Sequence, residues 1–371
     1  MKEETIPLKK TPLVEIHEAL GAKMAAFAGY WMPIYYSGIQ SEHRAVRNAA
    51  GIFDCSHMGE FVVSGPQAED FLQYVTLNDV SKLHPGKAQY TLMANHRGGT
   101  VDDLLLYRLE DDRYLLVVNA SNIQKDWQWL QQHSSAFEVE MEDISDQTAL
   151  IAVQGPRAHQ LLEVLLGSSF EPLRPFHFMQ AKIGDVEPVT ISATGYTGSG
   201  GYELYMPSKD APSLWNALLD KAHAFNALPA GLGARDTLRL EMGYCLYGHE
   251  LTEEISALEA GLSWVIKWNK GDFIGKEALL QQRKQGIKQK LSAFYALSRR
   301  VPRAEYSIVD ADGATVGWIS SGTLSPCLQR PIALGFIPPS MPEGQELYFR
   351  AGNKMFPLQQ TVLPFYKGDC P

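Results

Sequence analysis

Arg113–Leu130 (RYLLVVNASNIQKDWQWL) and Gly201–Leu218 (GYELYMPSKDAPSLWNAL) are the two stretches that decide the predicted fold. They align without a gap, so that Tyr114 meets Tyr202 and Trp127 meets Trp215. Each reads as a strand that leads into an amphipathic helix. The alignment indicates a duplicated β-β-α unit. Chance similarity of two helices that follow strands is the alternative.

The patterns around the repeat predict an α+β protein. Helices are expected over 12–20, about 41–49 and about 122–132, and strands over 88–94, 101–108 and 114–118. Helical signals stop near Gly286, and short strands separated by turns follow it. We therefore predict two interleaved α+β domains, formed by 1–55 with 140–285 and by 56–139. Residues 286–371 would form a C-terminal all-β barrel or sandwich.

Composition excludes several classes of protein. The 371-residue chain has a formal net charge of −9, which gives no basic field for nucleic acid or an anionic membrane. It has neither a stretch of 18 apolar residues nor the apolar segment of a secretory signal at its N-terminus. Four scattered cysteines argue against a zinc ribbon and a dense disulfide framework. They fit a reducing compartment, so we expect a cytoplasmic protein.

Common catalytic and cofactor motifs are missing from the sequence. There is no GxSxG elbow, no P-loop and no HExxH. Gly231 and Gly233 lack the third glycine of a dinucleotide-binding turn. Cys55 and His57 are two ligands at most, and we interpret them as a packing and capping pair. We predict no metal, no flavin and no nicotinamide.

Three segments are unusual enough to carry chemistry. Residues 194–203 (TGYTGSGGYE) lie between two predicted strands, either as a flexible hairpin or as a loop that holds Tyr196 and Glu203 against a flat ligand. A carboxylate can accept paired N–H bonds from an amidine-like edge such as that of a reduced pterin.

The second segment is the pair Asp102 and Asp103 at the start of an apolar strand. The pair either caps the Gly98–Gly99 turn or forms a functional acid among apolar neighbours. In the third segment, Arg235 enters a helix that Tyr244 and Tyr247 are expected to continue, and it could pair with Asp236 or another acid.

Taken together, these segments resemble the T-protein family of the glycine cleavage system, the folate-dependent aminomethyltransferases. The resemblance covers nearly the whole chain. It is carried by Phe27–Tyr36, Phe53–Phe61, Gly98–Leu104, Val118–Asp126, Thr194–Gly198, Pro229–Asp236, Ser321–Pro326 and Pro364–Gly368. The family implies a three-domain cloverleaf with duplicated ferredoxin-like units and a central folate cavity. The implied co-substrate is tetrahydrofolate, and the implied partner is lipoylated H-protein.

Site residues follow from the resemblance position by position. The key acid of the family matches Asp103. The folate contacts match Tyr90, Tyr107, Asn119, Tyr196, Glu203, Arg235 and Tyr244. Because H-proteins of this family tend to be acidic, we expect a basic docking patch, and our candidates are Arg299, Arg300 and Arg303. We expect a monomer or a weak dimer.

The chain departs from the family pattern at Ala193, where an arginine is usual, and at Ser199, where an acid is usual. Both departures put the rigidity of the folate loop in question. The tail after Gly368 is short, whereas the family often continues there with basic residues. This difference puts the contacts of such a tail in question. Two other functions are compatible with the fold: a folate-dependent demethylase of a small methyl donor, and a non-enzymatic folate-binding factor for iron–sulfur clusters. The position of Cys245 counts against the second.

Overall fold

The computed structural model describes residues 7–342, 344–368 and 370. Its helices are α1 Val14–Ala19, α2 Ile39–Asn48, α3 Ala68–Val75, α4 Ile123–Ser134, α5 Ala158–Leu166, α6 Ala211–Ala222, α7 Leu232–Met242 and α8 Lys276–Gln285.

The strands of the first part are β1 Lys9–Lys10, β2 Lys23–Phe27, β3 Tyr30–Tyr35, β4 Ala50–Asp54, β5 Gly59–Ser64, β6 Lys87–Ala94, β7 Thr100–Glu110, β8 Arg113–Val118 and β9 Glu140–Asp143. The next are β10 Thr148–Gln154, β11 Phe178–Ile183, β12 Val186–Ser192, β13 Gly201–Pro207 and β14 Ala227–Pro229. The last are β15 Lys290–Ala296, β16 Ser307–Val309, β17 Thr315–Leu324, β18 Pro331–Ile337, β19 Leu347–Ala351 and β20 Lys354–Thr361.

Both copies of the predicted repeat fold as a hairpin followed by a helix. In the first, β7 pairs antiparallel with β8, and α4 follows. In the second, β12 pairs antiparallel with β13, and α6 follows. Trp215 of α6 is fully buried, whereas its counterpart Trp127 is half-buried. Burying an indole of this size gives the second copy a larger share of apolar contact.

The described residues group into two compact units. The first contains 7–62, 120–124 and 142–236, and the second contains 63–119, 125–141 and the described residues from 237 onward. A six-stranded sheet in the order β11-β12-β13-β10-β4-β14 belongs to the first unit. Its core is apolar and includes Leu161, Leu204 and Trp215, each at most 1% exposed. The three-domain boundaries given above stay a prediction.

The hairpin of the first copy, β7 and β8, belongs to a five-stranded sheet in the order β6-β7-β8-β5-β9. The C-terminal strands close a barrel in the order β15-β18-β17-β16-β19-β20. The barrel interior is filled by apolar side chains such as Phe294, Ile308 and Phe349, which are fully buried. The predicted α+β class with a C-terminal all-β barrel is confirmed.

Two details differ from the sequence-based expectations. Helix α7 ends at Met242, and Gly243 follows with φ +74°, so Tyr244 and Tyr247 do not continue the helix. A glycine adopts this left-handed conformation at little cost, which makes it a natural helix stop. The structure also joins Cys327 and Cys370 in a disulfide, so the four cysteines do not all remain thiols. Within the described residues, no helix is long and apolar enough to cross a membrane.

Candidate active site

Asp103 lies at the centre of the first cluster, which we define as Tyr90, Asp102, Asp103 and Asn119. Successive residues of β7 point to opposite faces, so the two acids have different environments. Asp102 is fully buried and Asp103 is half-buried. The Tyr90 hydroxyl donates to Oδ2 of Asp103 at 2.9 Å, and Nδ2 of Asn119 donates to Oδ1 at 2.9 Å. Neutral donors therefore hold both oxygens of a carboxylate that solvent can still reach.

Asn119 ties the two acids of this cluster together. Its backbone N–H donates to Oδ2 of Asp102 at 3.1 Å, and its Nδ2 donates to Oδ1 of Asp102 at 2.9 Å. The turn before β7 is held by other groups, since Oδ1 of Asn95 accepts from the backbone N–H of Arg97 and Gly99. The idea that the acid pair caps the Gly98–Gly99 turn is therefore wrong.

The pKa of Asp103 is raised to about 7. Burial is the largest cause, because it removes water from the charged form, and the negative charge of Asp102 adds to it. The hydrogen bonds from Tyr90 and Asn119 act in the opposite direction. A carboxyl group with a pKa near neutral pH can exchange a proton under ordinary conditions, as a general acid or base must.

Trp264 is a neighbour of this cluster that the sequence did not reveal. It lies in the short 3-10 helix Ser263–Val265 and stacks on Tyr90, with ring centroids 6.0 Å apart and planes 28° apart. Its side chain is 56% exposed. A lone tryptophan in an irregular segment gives no periodic signal, so only the fold brings it to Tyr90.

Two more of the four tyrosines assigned from the resemblance, Tyr107 and Tyr244, have different positions. Tyr107 is on β7 with Asp103, but it is fully buried. Tyr244 follows α7 and is 38% exposed, and its carbonyl accepts from Nη1 of Arg239 at 3.0 Å.

Arg235 lies at the centre of the second cluster, which we define as Cys55, Tyr196, Glu203 and Arg235. Its Nη1 donates to the Cys55 sulfur at 3.1 Å, and its guanidinium lies over the Tyr196 ring at 5.0 Å from the centroid. Burial raises the pKa of Cys55 to about 12 despite the nearby Arg235, so this sulfur stays a thiol. Cys55 is therefore a buried thiol that also accepts a hydrogen bond from Arg235.

His57 is fully enclosed near this cluster, at 2% exposure. Burial, and then the positive charge of Arg235, lower its pKa to about 4. The imidazole is therefore neutral at neutral pH, and Arg235 supplies the positive charge of the cluster.

Glu203 is 5% exposed and accepts hydrogen bonds on one oxygen. The Thr194 hydroxyl donates to Oε2 at 2.5 Å, and the Tyr205 hydroxyl donates to the same atom at 3.4 Å. Burial raises the pKa of Glu203, while the bond from Thr194 and the charge of Arg235 oppose this rise. Glu203 thus has a cationic neighbour, which Asp103 lacks in its own cluster.

The 194–203 loop is held by Arg47 and Gln154, neither of which is a predicted site residue. Nη1 of Arg47 donates to the Thr197 carbonyl at 2.5 Å and to the Ser199 hydroxyl at 2.8 Å. Gln154 donates to the Thr194 carbonyl and accepts from the Thr197 hydroxyl at 3.0 Å. Ser199 therefore keeps a contact with an arginine where an acid is usual, and the flexible-hairpin alternative is wrong.

Known proteins resemble this chain over nearly its whole length. A family model described as the GCVT N-terminal domain matches residues 13–270, and one described as the glycine cleavage T-protein C-terminal barrel domain matches 290–367. An aminomethyltransferase of Flavobacterium psychrophilum is 45% identical over 361 residues, covering 97% of this chain and 100% of that protein. One of Chlorobium phaeobacteroides is 47% identical over 363 residues, covering 97% and 99%.

The chain belongs to the glycine cleavage T-protein family. It is an aminomethyltransferase. The crystal structure of the glycine cleavage system aminomethyltransferase T from Bartonella henselae agrees, with a TM-score of 0.91, 34% identity, and coverage of 98% of this chain and 99% of that one.

The candidate docking arginines of this aminomethyltransferase lie in the connection between β15 and β16. Arg299, Arg300 and Arg303 are all exposed. Arg299 lines an open groove of about 730 Å³ together with Leu297, Leu324 and Arg330. Arg330 was not among the candidates, and its guanidinium lies over the Tyr295 ring at 3.6 Å. The patch therefore combines positive charge with two exposed leucines.

Proposed function

We propose that this aminomethyltransferase transfers the methylene carbon of an aminomethyl group on lipoyl H-protein to tetrahydrofolate. The products are ammonia, 5,10-methylenetetrahydrofolate and dihydrolipoyl H-protein. Membership of the family implies tetrahydrofolate as a substrate and H-protein as a partner. The observation that supports the chemical step is Asp103, a half-buried carboxyl group held by two neutral donors with a pKa of about 7.

Asp103 would act on the folate amine that attacks. It accepts a hydrogen bond from this N–H, holds the nitrogen in line with the methylene carbon, and stabilises the iminium character that develops as the amine leaves. When the nitrogen forms its bond to carbon, it loses a proton, and a carboxylate with a pKa near 7 can accept it. The leaving amine takes up a proton and departs as ammonia. The second folate nitrogen then forms its bond to the same carbon and loses its proton as the C–S bond breaks, and the lipoyl sulfur takes up a proton to give the dihydrolipoyl thiol.

Glu203 and Arg235 would bind the cofactor rather than take part in proton transfer. Oε2 of Glu203 already accepts from Thr194 and Tyr205, and the carboxylate can accept N–H bonds from the pterin edge as well. The hydrogen bond from Thr194 and then the charge of Arg235 oppose the rise in the pKa of Glu203 that burial causes. The remaining folate contacts stay predictions: Tyr90, Tyr107, Asn119, Tyr196 and Tyr244. Of these, Tyr107 would act as a buried support.

Reconstitution tests this function directly. The protein is mixed with tetrahydrofolate and aminomethylated lipoyl H-protein, and ammonia and methylenetetrahydrofolate are measured. Omission of H-protein is the control, and product formation should depend on it. No product with a competent H-protein would favour the demethylase, which needs no protein carrier. The cytoplasmic location, the monomeric or weakly dimeric state, and the lack of metal, flavin and nicotinamide stay predictions.

A further inference from the structure

Asp126 is a buried acid that the proposed chemistry does not use. It lies on α4 and is 0% exposed. Neither of its carboxyl oxygens receives an N–H or O–H from another residue in the part of the chain that the structure describes. Its side chain lies within reach of a hydrogen bond to the carboxyl group of Asp102. Two ionised carboxylates would repel each other at this buried position, whereas a proton on one of the two acids lets them hydrogen-bond.

The hydrogen bonds around the pair show which acid holds that proton. Asp102 accepts two N–H bonds from Asn119, and such bonds favour its ionised form. Asp126 accepts none. The proton is therefore more stable on Asp126, whose O–H then donates to Asp102. We propose that Asp126 is a positioning residue that stays a neutral acid, keeps Asp102 ionised, and so fixes the Asn119 amide that holds Asp103.

Asp126 and Asp102 affect Asp103 through the side-chain amide of Asn119. Its Nδ2 donates to Oδ1 of Asp102 and to both the carbonyl and Oδ1 of Asp103, at 2.9 to 3.0 Å. With an ionised Asp102 as acceptor, a flipped amide would bring its oxygen against a negative charge. The amide thus has one stable orientation, in which it presents an N–H to Asp103.

The remaining charged groups near Asp126 agree with this assignment. Lys125 is the cation beside it, but its Nζ donates to the Val101 carbonyl at 2.6 Å and to the Tyr247 hydroxyl at 2.5 Å. Glu253 faces Lys125 and Tyr247. Burial, and then the charge of Asp102, raise the pKa of Asp126 well above its usual value, with Asp103 adding to the effect. Lys125 acts in the opposite direction.

Two variants test the proposal, and both rest on the role proposed for Asp103. Asp126→Asn has the shape of the neutral acid and can still donate to Asp102. We expect its kcat and the midpoint of its pH–rate profile to stay within about twofold and about 0.3 pH units of wild type. Asp126→Val has a similar shape and no donor. We expect it to lower kcat about 10-fold at an unchanged KM for tetrahydrofolate, as loss of one hydrogen bond would.

Infrared spectroscopy supplies a readout that does not depend on activity. At about pH 8 the wild-type protein should show a protonated-carboxyl band that Asp126→Asn lacks. If the midpoint of the pH–rate profile moved to lower pH in Asp126→Asn, the mutation would have removed a negative charge, so Asp126 would be ionised and the proposal overturned. A normal kcat in Asp126→Val would also overturn the proposal. If Asp126→Val does not fold, the pH–rate midpoint and the infrared band of Asp126→Asn decide whether the proposal holds. If Asp103→Asn were also fully active, the proposed function itself would have failed.

Discussion

The two clusters bury a carboxyl group in different ways, and the difference indicates what each one does. Asp103 has an acid, Asp102, beside it, and its hydrogen bonds come from the neutral Tyr90 and Asn119. Glu203 has a cation, Arg235, in its cluster. Burial raises the pKa of both groups. Only Glu203 has a positive neighbour in its cluster to favour the charged form.

This comparison separates proton transfer from binding. A carboxyl group whose pKa is about 7 gains and loses a proton at little cost near neutral pH, which suits chemistry. A carboxyl group whose charged form is favoured by a nearby arginine suits recognition of N–H groups. The predictions that follow test whether the two roles can be separated by mutation.

The largest effect is expected for Asp103→Asn. The amide keeps the shape of the side chain but cannot accept the proton that the folate nitrogen loses, so kcat should fall by about 10²-fold or more. The affinity for tetrahydrofolate should change little, and single-turnover kinetics with bound folate would show this. Asp112→Asn, at an exposed turn, is the matched control. A collapse of folate affinity with normal turnover of bound folate would contradict the catalytic role.

Glu203→Gln should show the opposite pattern. The glutamine oxygen can still accept from Thr194, but the charge that recognises the pterin edge is lost. Dissociation constants for tetrahydrofolate should rise about 10- to 100-fold, the range for a hydrogen bond to a charged group. At saturating folate, kcat should stay within a few-fold. Calorimetry on the variant and on the exposed Glu187→Gln measures this, and equal affinities would refute the binding role.

The stability of the fold should also distinguish the two acids. The folded pKa of Asp103 lies above its unfolded value, so its neutral form favours the native state. That contribution is complete below the unfolded pKa of about 4 and is lost as the pH rises through about 7. Asp103→Asn avoids the loss. The free energy of unfolding of the variant, relative to wild type, should therefore increase by on the order of 2 kcal/mol from about pH 5 to about pH 8.

Urea unfolding of wild type and variant at the two pH values measures the gain. Glu203→Gln should gain less, because the mutation also leaves Arg235 without its acidic neighbour. A difference between Asp103→Asn and wild type that is the same at both pH values would mean that Asp103 does not titrate in this range.

Local sequence patterns were sufficient for the fold but only for part of the site. The periodicity of 113–130 and 201–218 predicted both hairpin-and-helix units, and the glycine near 286 predicted the end of α8. Contacts between residues far apart in sequence could not be predicted in this way. Trp264 reaches Tyr90, and Arg47 reaches Ser199, only because the folded chain brings them together.

The same limit explains the errors. The sequence leaves open whether Arg235 pairs with Asp236 or another acid, and it gives no sign of Cys55, 180 positions away, whose sulfur accepts from the Arg235 N–H. The sequence predicts that Tyr244 and Tyr247 continue α7, but Gly243 ends the helix. Family resemblance supplied Asp103 and Glu203 as site residues, but the contrast in their electrostatic surroundings came from the structure alone.

The smallest expected effect concerns a third region, which should affect neither catalysis nor folate binding. Reversing Arg299, Arg300 and Arg303 to glutamate replaces three positive charges at or near the groove that Leu297 lines with negative ones. If an acidic H-protein docks there, its kcat/KM should fall about 5-fold at low salt, and the difference should shrink at high salt because ions screen exposed charges. Folate affinity and turnover at saturating H-protein should not change.

Lys354→Glu, an exposed charge reversal elsewhere on the barrel, is the control. Equal H-protein dependence in both variants would place the docking face elsewhere, while a loss of folate affinity would mean that the arginines belong with Glu203 rather than with the carrier.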